Sequence, residues 1–153
     1  MPGIRDKRHL PYTPEQMYAL VADVGRYEEF LPWVIATRVR SDTETEMIAD
    51  MVVGFKNLRE RFTSRVEKER PHTIRVHYVD GPLRDLDNIW QFSPYGEASC
   101  TVDFCVDFAF KNRVFERIAG QYFDRAFRRM VEAFEARAAD LYGSSSSSAQ
   151  SVA

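Results

Sequence analysis

The chain has 153 residues, a formal charge of −2 at neutral pH and two cysteines. That length is most simply one domain with a core of its own, and the charge excludes a global basic field of the kind that draws proteins to nucleic acid, so no DNA partner is expected. The first eight residues, MPGIRDKR, lack the apolar run of a signal peptide, and no stretch approaches the ~20 apolar residues of a membrane span. A soluble cytoplasmic protein is expected, at most peripheral at the inner face of a membrane.

Ile4 to Leu10 reads as a short, charged edge strand. Thr13-Pro14-Glu15-Gln16 then opens a helix: Thr13 caps it, Pro14 suits its first position and Gln16 completes a capping box. Met17, Leu20, Val21 and Val24 follow at helical spacing until Gly25 stops the element, and a second helical turn runs from Arg26 to Leu31 before Pro32-Trp33. From Val34 the period becomes two, with Ile35, Thr37 and Val39 on one face and Arg38 and Arg40 on the other. Thr45 to Val53 repeats that pattern through Met47, Ala49 and Met51. After Gly54-Phe55-Lys56-Asn57 a long strand, Leu58 to Glu69, alternates Phe62, Ser64 and Val66 with Arg61, Thr63 and Arg65.

Pro71-His72 turns the chain into Thr73 to Val79, and Asp80-Gly81-Pro82 turns it again into Leu86 to Phe92. Ala98 to Phe110 alternates most clearly, with Cys100, Val102, Phe104, Val106, Phe108 and Phe110 inward and Asp103 and Asp107 outward. Cys100 and Cys105 therefore point to opposite faces, do not pair, and suit a reducing compartment. Asn112 caps a closing helix whose apolar stripe from Phe115 to Leu141 recurs every three or four residues, with Gly120 a possible bend and Gly143 its stop. Residues 144–153 read as a disordered Ser-rich tail.

This order predicts an α+β helix-grip architecture: a seven-stranded curved antiparallel sheet gripping one long C-terminal helix, with two short helices after the first strand, all within residues 1–143. A bent sheet and a long helix meet well at the rims and leave a gap between them, lined by aromatic and aliphatic side chains. An apolar small molecule is the ligand such a gap would take.

Particular strings carry a resemblance. Residues 27–33 (YEEFLPW), 53–55 (VGF), 60–66 (ERFTSRV), 80–82 (DGP), 90–94 (WQFSP), 100–104 (CTVDF) and 133–138 (AFEARA), in this order and spacing, resemble the coenzyme Q-binding branch of the START-like (SRPBCC, polyketide cyclase-like) superfamily from about residue 4 to Gly143. The resemblance implies that the cavity holds ubiquinone or a related polyprenyl lipid, and that the protein supports respiratory electron transport or quinone biosynthesis without being an enzyme or using a catalytic cofactor. A bacterial branch of similar sequence is described as a ribosome-association toxin, which makes a ribosome the alternative partner; the superfamily also holds cyclases. Val34 stands where that family often has Cys, and Ala109 where it often has an acidic residue.

No catalytic constellation is evident. His9, His72 and His77 lack metal-ligand spacing and a nucleophile to activate, and Asp85 and Asp87 sit beside a predicted loop where solvation accounts for them. A stripe of Phe, Met and Trp is ordinarily packed core, but a sheet curved around a helix is not filled everywhere by side chains. Phe62, Trp90, Phe92, Phe104, Phe123, Phe127 and Met130 are the expected ligand wall, with flexible Met47 and Met51 nearby. Phe30, Leu31, Trp33, Phe55 and Lys56 are the expected entrance, with exposed rings of Trp33 and Phe55 able to dip into a bilayer surface. Arg38, Arg40, Arg59, Arg61, Arg65 and Arg75 share an outward sheet face. They can meet phosphates or pair across strands with Asp50, Glu60, Glu67, Asp103 and Asp107, and the second use is favoured.

Overall fold

The computed structural model describes residues 3–55 and 58–143, and at Phe55, Leu58, Phe115, Ile118 and Ala119 the backbone alone. The expected tail at 144–153 lies outside the described residues. Strand β1 (Gly3–Leu10) leads to helix α1 (Pro14–Ala22) and a 3-10 helix (Val24–Glu29). Strands β2 (Val34–Asp42), β3 (Glu46–Phe55), β4 (Leu58–Glu69), β5 (Thr73–Asp80), β6 (Leu83–Pro94) and β7 (Cys100–Phe110) follow, and helix α2 (Arg113–Tyr142) closes the chain. The strands form one antiparallel sheet in the order β1-β7-β6-β5-β4-β3-β2. This is the α+β helix-grip architecture.

Local chemistry places the helix ends. The Thr13 hydroxyl accepts from the Gln16 amide at 3.1 Å while the Gln16 side chain accepts from the Thr13 amide at 2.9 Å, closing the capping box. At α2 the Val114 amide donates to the Asn112 side chain at 2.8 Å, and the helix runs unbroken through Gly120. Its end is set at Gly143, whose φ of +87° continues no right-handed helix and whose amide donates to the Ala139 carbonyl at 2.9 Å. Gly81 is required for a different reason: at φ +145° a Cβ there would lie 2.8 Å from the Arg61 carbonyl oxygen.

Several boundaries differ from the sequence reading. Helix α1 ends at Ala22 and Val24 already belongs to the 3-10 helix, because the tighter winding turns Val24 and Tyr27 inward together. Strand β6 begins three residues earlier than predicted. The Leu83 amide is satisfied by the Tyr78 hydroxyl at 2.9 Å, so Asp85 and Asp87 lie within a strand rather than beside a loop. Strand β2 carries two register shifts, between Val34 and Ala36 and between Val39 and Ser41. These bulges bend an edge strand and break its alternation, which leaves Ile35 at 41% and Val39 at 37% exposure.

The main core cluster gathers around α1. Met17, Tyr18, Leu20 and Val21 of α1 pack with Ile74, Phe92, Cys100 and Val102 of the sheet and with Phe134 and Ala138 of α2. Two hydroxyls fasten this region: Tyr142 donates to the Gln16 carbonyl at 2.9 Å and Tyr12 to the Gly143 carbonyl at 3.3 Å. Phe92 is 1% exposed and meets Tyr18 edge-on at 6.1 Å. Truncating it to alanine should cost about 3–5 kcal/mol, read as a shift of the urea-unfolding midpoint at unchanged slope.

Candidate ligand-binding cavity

Along its middle, from Phe123 to Phe134, α2 stands over the sheet across a cavity of about 360 Å³. Sequence spacing explains why side chains from distant strands meet there. Phe62 on β4, Trp90 on β6 and Phe104 on β7 occupy inward positions of their strands, while Phe123, Phe127 and Met130 recur at steps of three and four along α2. All six line the cavity. Four rings adjoin in a row, Phe127 with Phe104 at 5.4 Å, Phe104 with Trp90 at 4.6 Å and Trp90 with Phe134 at 5.4 Å, while Phe123 meets Phe108 at 4.7 Å. The seventh expected residue, Phe92, is not on the wall; one inward step beyond Trp90 the strand passes under α1, and the ring fills the core there.

Of the five expected entrance residues, Leu31 and Trp33 border the cavity. Trp33 is half-buried rather than exposed, because the chain between the 3-10 helix and β2 folds its indole inward. Phe30 does not reach the cavity. It packs on Tyr27 at 5.9 Å and Phe134 at 5.3 Å, beneath the Arg137 guanidinium at 5.0 Å, and so pins the 3-10 helix to α2. Arg137 also donates to Glu29 at 2.6 Å, which holds the Glu29 carboxyl below the usual range. Lys56 lies outside the described residues, as does the side chain of Phe55.

Sequence reasoning missed the polar part of the lining: Tyr27, Ser64 and Asn88. Asn88 had a readable signal, since it shares the inward parity of Trp90 and Phe92. Its amide donates to the Cys105 carbonyl at 2.9 Å, and its carbonyl oxygen accepts from Trp90 Nε1 at 3.1 Å. The Tyr27 hydroxyl donates to the Val21 carbonyl, and burial pushes its pKa far up, so it stays neutral. Trp33 Nε1, in contrast, is buried without a hydrogen-bond partner among the described residues.

A second, small void of about 40 Å³ lies toward β1, rimmed by Asp6, Arg8 and Glu135. Trp90, Phe104, Phe127, Met130 and Phe134 line both spaces and form the partition between them. Among the described residues no group of three His, Cys, Asp or Glu side chains is placed to hold a metal ion, and no helix is long and apolar enough to cross a membrane. Cys100 and Cys105 are free thiols, and burial pushes the Cys100 thiol up to about 11.

The arginine face is mixed. Arg40 Nε meets Asp50 at 2.8 Å, Arg65 meets Glu46 at 3.4 Å and Glu67 at 3.5 Å, and Arg75 meets Asp87 at 3.1 Å. Glu46 and Asp87 are thus partners that the sequence did not suggest, whereas Asp103 lies opposite Lys7 on β1. Arg38, Arg59 and Arg61 have no carboxylate within ion-pair distance among the described residues. Asp50 is buried, and the Thr63 hydroxyl at 2.6 Å, followed by Arg40, keeps its carboxyl below the ordinary range despite desolvation.

The family described as polyketide cyclase / dehydrase and lipid transport matches residues 10–135. The chain is 35% identical over 142 residues to the ribosome association toxin RatA of Escherichia coli (strain K12), covering 93% of this chain and 90% of that protein. It is 37% identical over 142 residues to the mitochondrial coenzyme Q-binding protein COQ10 homolog B of Xenopus laevis, covering 90% of this chain and 58% of that protein. A START superfamily protein from Mycobacterium smegmatis shares the fold, with a TM-score of 0.74 at 14% identity over 91% of this chain and 98% of that one.

The buried Asp50 generates a pH prediction. A carboxyl whose folded pKa is depressed contributes stability above its unfolded pKa and loses it as pH falls through the folded value. Wild type should therefore lose stability more steeply than Asp50→Asn between about pH 5 and 2, and near pH 7 the variant should be less stable by about 1–3 kcal/mol in urea unfolding.

Proposed function

We propose that this chain, which belongs to the polyketide cyclase, dehydrase and lipid transport family, is a non-catalytic carrier of a hydrophobic isoprenoid quinone, held between the sheet and α2. The observation that carries the reading is the cavity itself: its described lining is aromatic and aliphatic apart from Tyr27, Ser64 and Asn88, with no carboxylate, histidine, lysine or cysteine to do covalent or acid/base work. Flexible thioethers at Met51 and Met130 suit a ligand whose conformation varies. The coenzyme Q-binding relative supports the ligand class.

Volume limits what is enclosed. At about 20–30 Å³ per non-hydrogen atom, the cavity takes roughly 12 to 18 such atoms. A substituted quinone ring and about one isoprene unit fill it, so the remaining tail extends beyond the cavity, in a membrane or along the protein surface. Titration with quinones of increasing tail length should show affinity rising over the first one or two isoprene units and then changing by less than about threefold. A steady gain with every added unit would refute this partial enclosure. Phe127→Asp places a charge in the wall, and should abolish binding while far-UV circular dichroism stays that of wild type; retained binding in the folded variant would remove the cavity from the account.

A second reading, ribosome binding through the arginine face, is favoured by one observation: among the described residues Arg38, Arg59 and Arg61 have no carboxylate within ion-pair distance, although Arg61 acts on Asp50 at longer range. The ribosome association relative supports it. Salt separates the two. Sedimentation with ribosomes should weaken steeply between about 50 and 200 mM salt if phosphates are the partner, whereas quinone binding should change little over that range.

A further inference from the structure

The chain has two tryptophans, Trp33 and Trp90, and both line the cavity. Their indole nitrogens differ. Trp90 Nε1 donates to the Asn88 side chain at 3.1 Å, which in turn is fixed by the Cys105 carbonyl. Trp33 Nε1 is buried and has no acceptor among the described residues. A buried N–H group without a partner is costly, and the cost is not required for packing, since a phenylalanine ring would offer an apolar face without it. Of the other polar lining groups, the Tyr27 hydroxyl is spent on the Val21 carbonyl and the Asn88 amide on the sheet backbone, which leaves the Ser64 hydroxyl as the competing group.

Resting on the lipid-carrier reading above, we infer that Trp33 is the specificity-determining residue of the cavity and donates its indole N–H to a carbonyl-type oxygen of the bound lipid's head. The backbone around it is firmly placed, which suits a positioning donor: the Trp33 carbonyl accepts from Gly54 at 2.9 Å and the Val34 amide donates to Leu31 at 3.2 Å. In the free protein the N–H is closed off from the cavity although the ring lines it, so the proposed bond requires the indole to turn until the N–H faces the ligand oxygen, and forming it removes an unsatisfied donor. The site then discriminates between isoprenoids by head rather than by tail. An isoprenoid bearing a carbonyl satisfies the donor, and a hydrocarbon of equal size leaves it unpaired.

The test uses protein labelled with ¹⁵N at tryptophan, a ubiquinone with two isoprene units, and an isoprenoid hydrocarbon of matching length. Of the two indole N–H resonances, the one missing in Trp33→Phe should move downfield on adding the quinone and should not do so on adding the hydrocarbon. Trp33→Phe should weaken quinone binding roughly 5- to 15-fold and leave hydrocarbon binding within about twofold, which also serves as the check that the variant is folded. An unmoved Trp33 resonance with bound quinone, an equal loss for both probes, or a selective loss in Ser64→Ala rather than Trp33→Phe would each overturn the inference while leaving the carrier reading intact. Failure of wild type to bind either probe would overturn the carrier reading, and this inference with it.

Discussion

A long helix can follow a curved sheet closely over only part of its length, and the geometry of this molecule depends on which part. Here the C-terminal half of α2 is fixed by Phe134 and Ala138 in the core and by hydroxyl bonds involving Tyr142 and Tyr12, with α1 filling the space beside it. The first turn is tied to the end of β7, where the Phe110 amide donates to Glu116 at 3.2 Å, and the middle of the helix, from Phe123 to Phe134, spans the cavity between. Large rings from β6, β7 and α2 reach across that space but do not fill it. The cavity is therefore a consequence of where the helix is anchored, and it persists because the anchoring end is well packed.

The two faces of the sheet follow opposite rules. Inward positions are mostly apolar; of the polar groups in the lining, Tyr27, Asn88 and Trp90 are tied to backbone or to one another, which leaves Ser64 and Trp33 to meet a ligand. Outward positions of β2 to β6 carry dense charge, much of it paired across strands, with Asp50 as a buried centre held by Thr63 and Arg40. Surface pairs of this kind contribute little stability each, so the absence of an ion pair at Arg38, Arg59 and Arg61 among the described residues costs the fold little. The cavity and the arginine face use separate residues, so the two proposed partners would not compete for them.

Most of the architecture is legible in the sequence because it rests on strong periodic signals: the alternation of β7, the stripe of α2 and the capping box at Thr13. Six of the seven expected wall residues come to one cavity for the same reason, since parity and helical spacing fix the direction in which a side chain points. Parity does not say where along a strand the cavity ends, and so it placed Phe92 beside Trp90 although α1 covers it. Nor does it anticipate bulges, which turned Ile35 and Val39 outward in β2. Tyr27 and Phe30 were opaque for a further reason: their surroundings are set by contact between the 3-10 helix and α2, residues more than a hundred positions apart.

The central claim is that the cavity exists to be occupied by an isoprenoid quinone. The most direct measurement is organic extraction of the protein purified under mild conditions, with mass spectrometry of the extract set against a heat-denatured control. The account predicts an isoprenoid quinone in near-stoichiometric amount from the native protein, greatly reduced in the control. A native extract free of quinone, from protein that also takes up none when it is supplied, would contradict it.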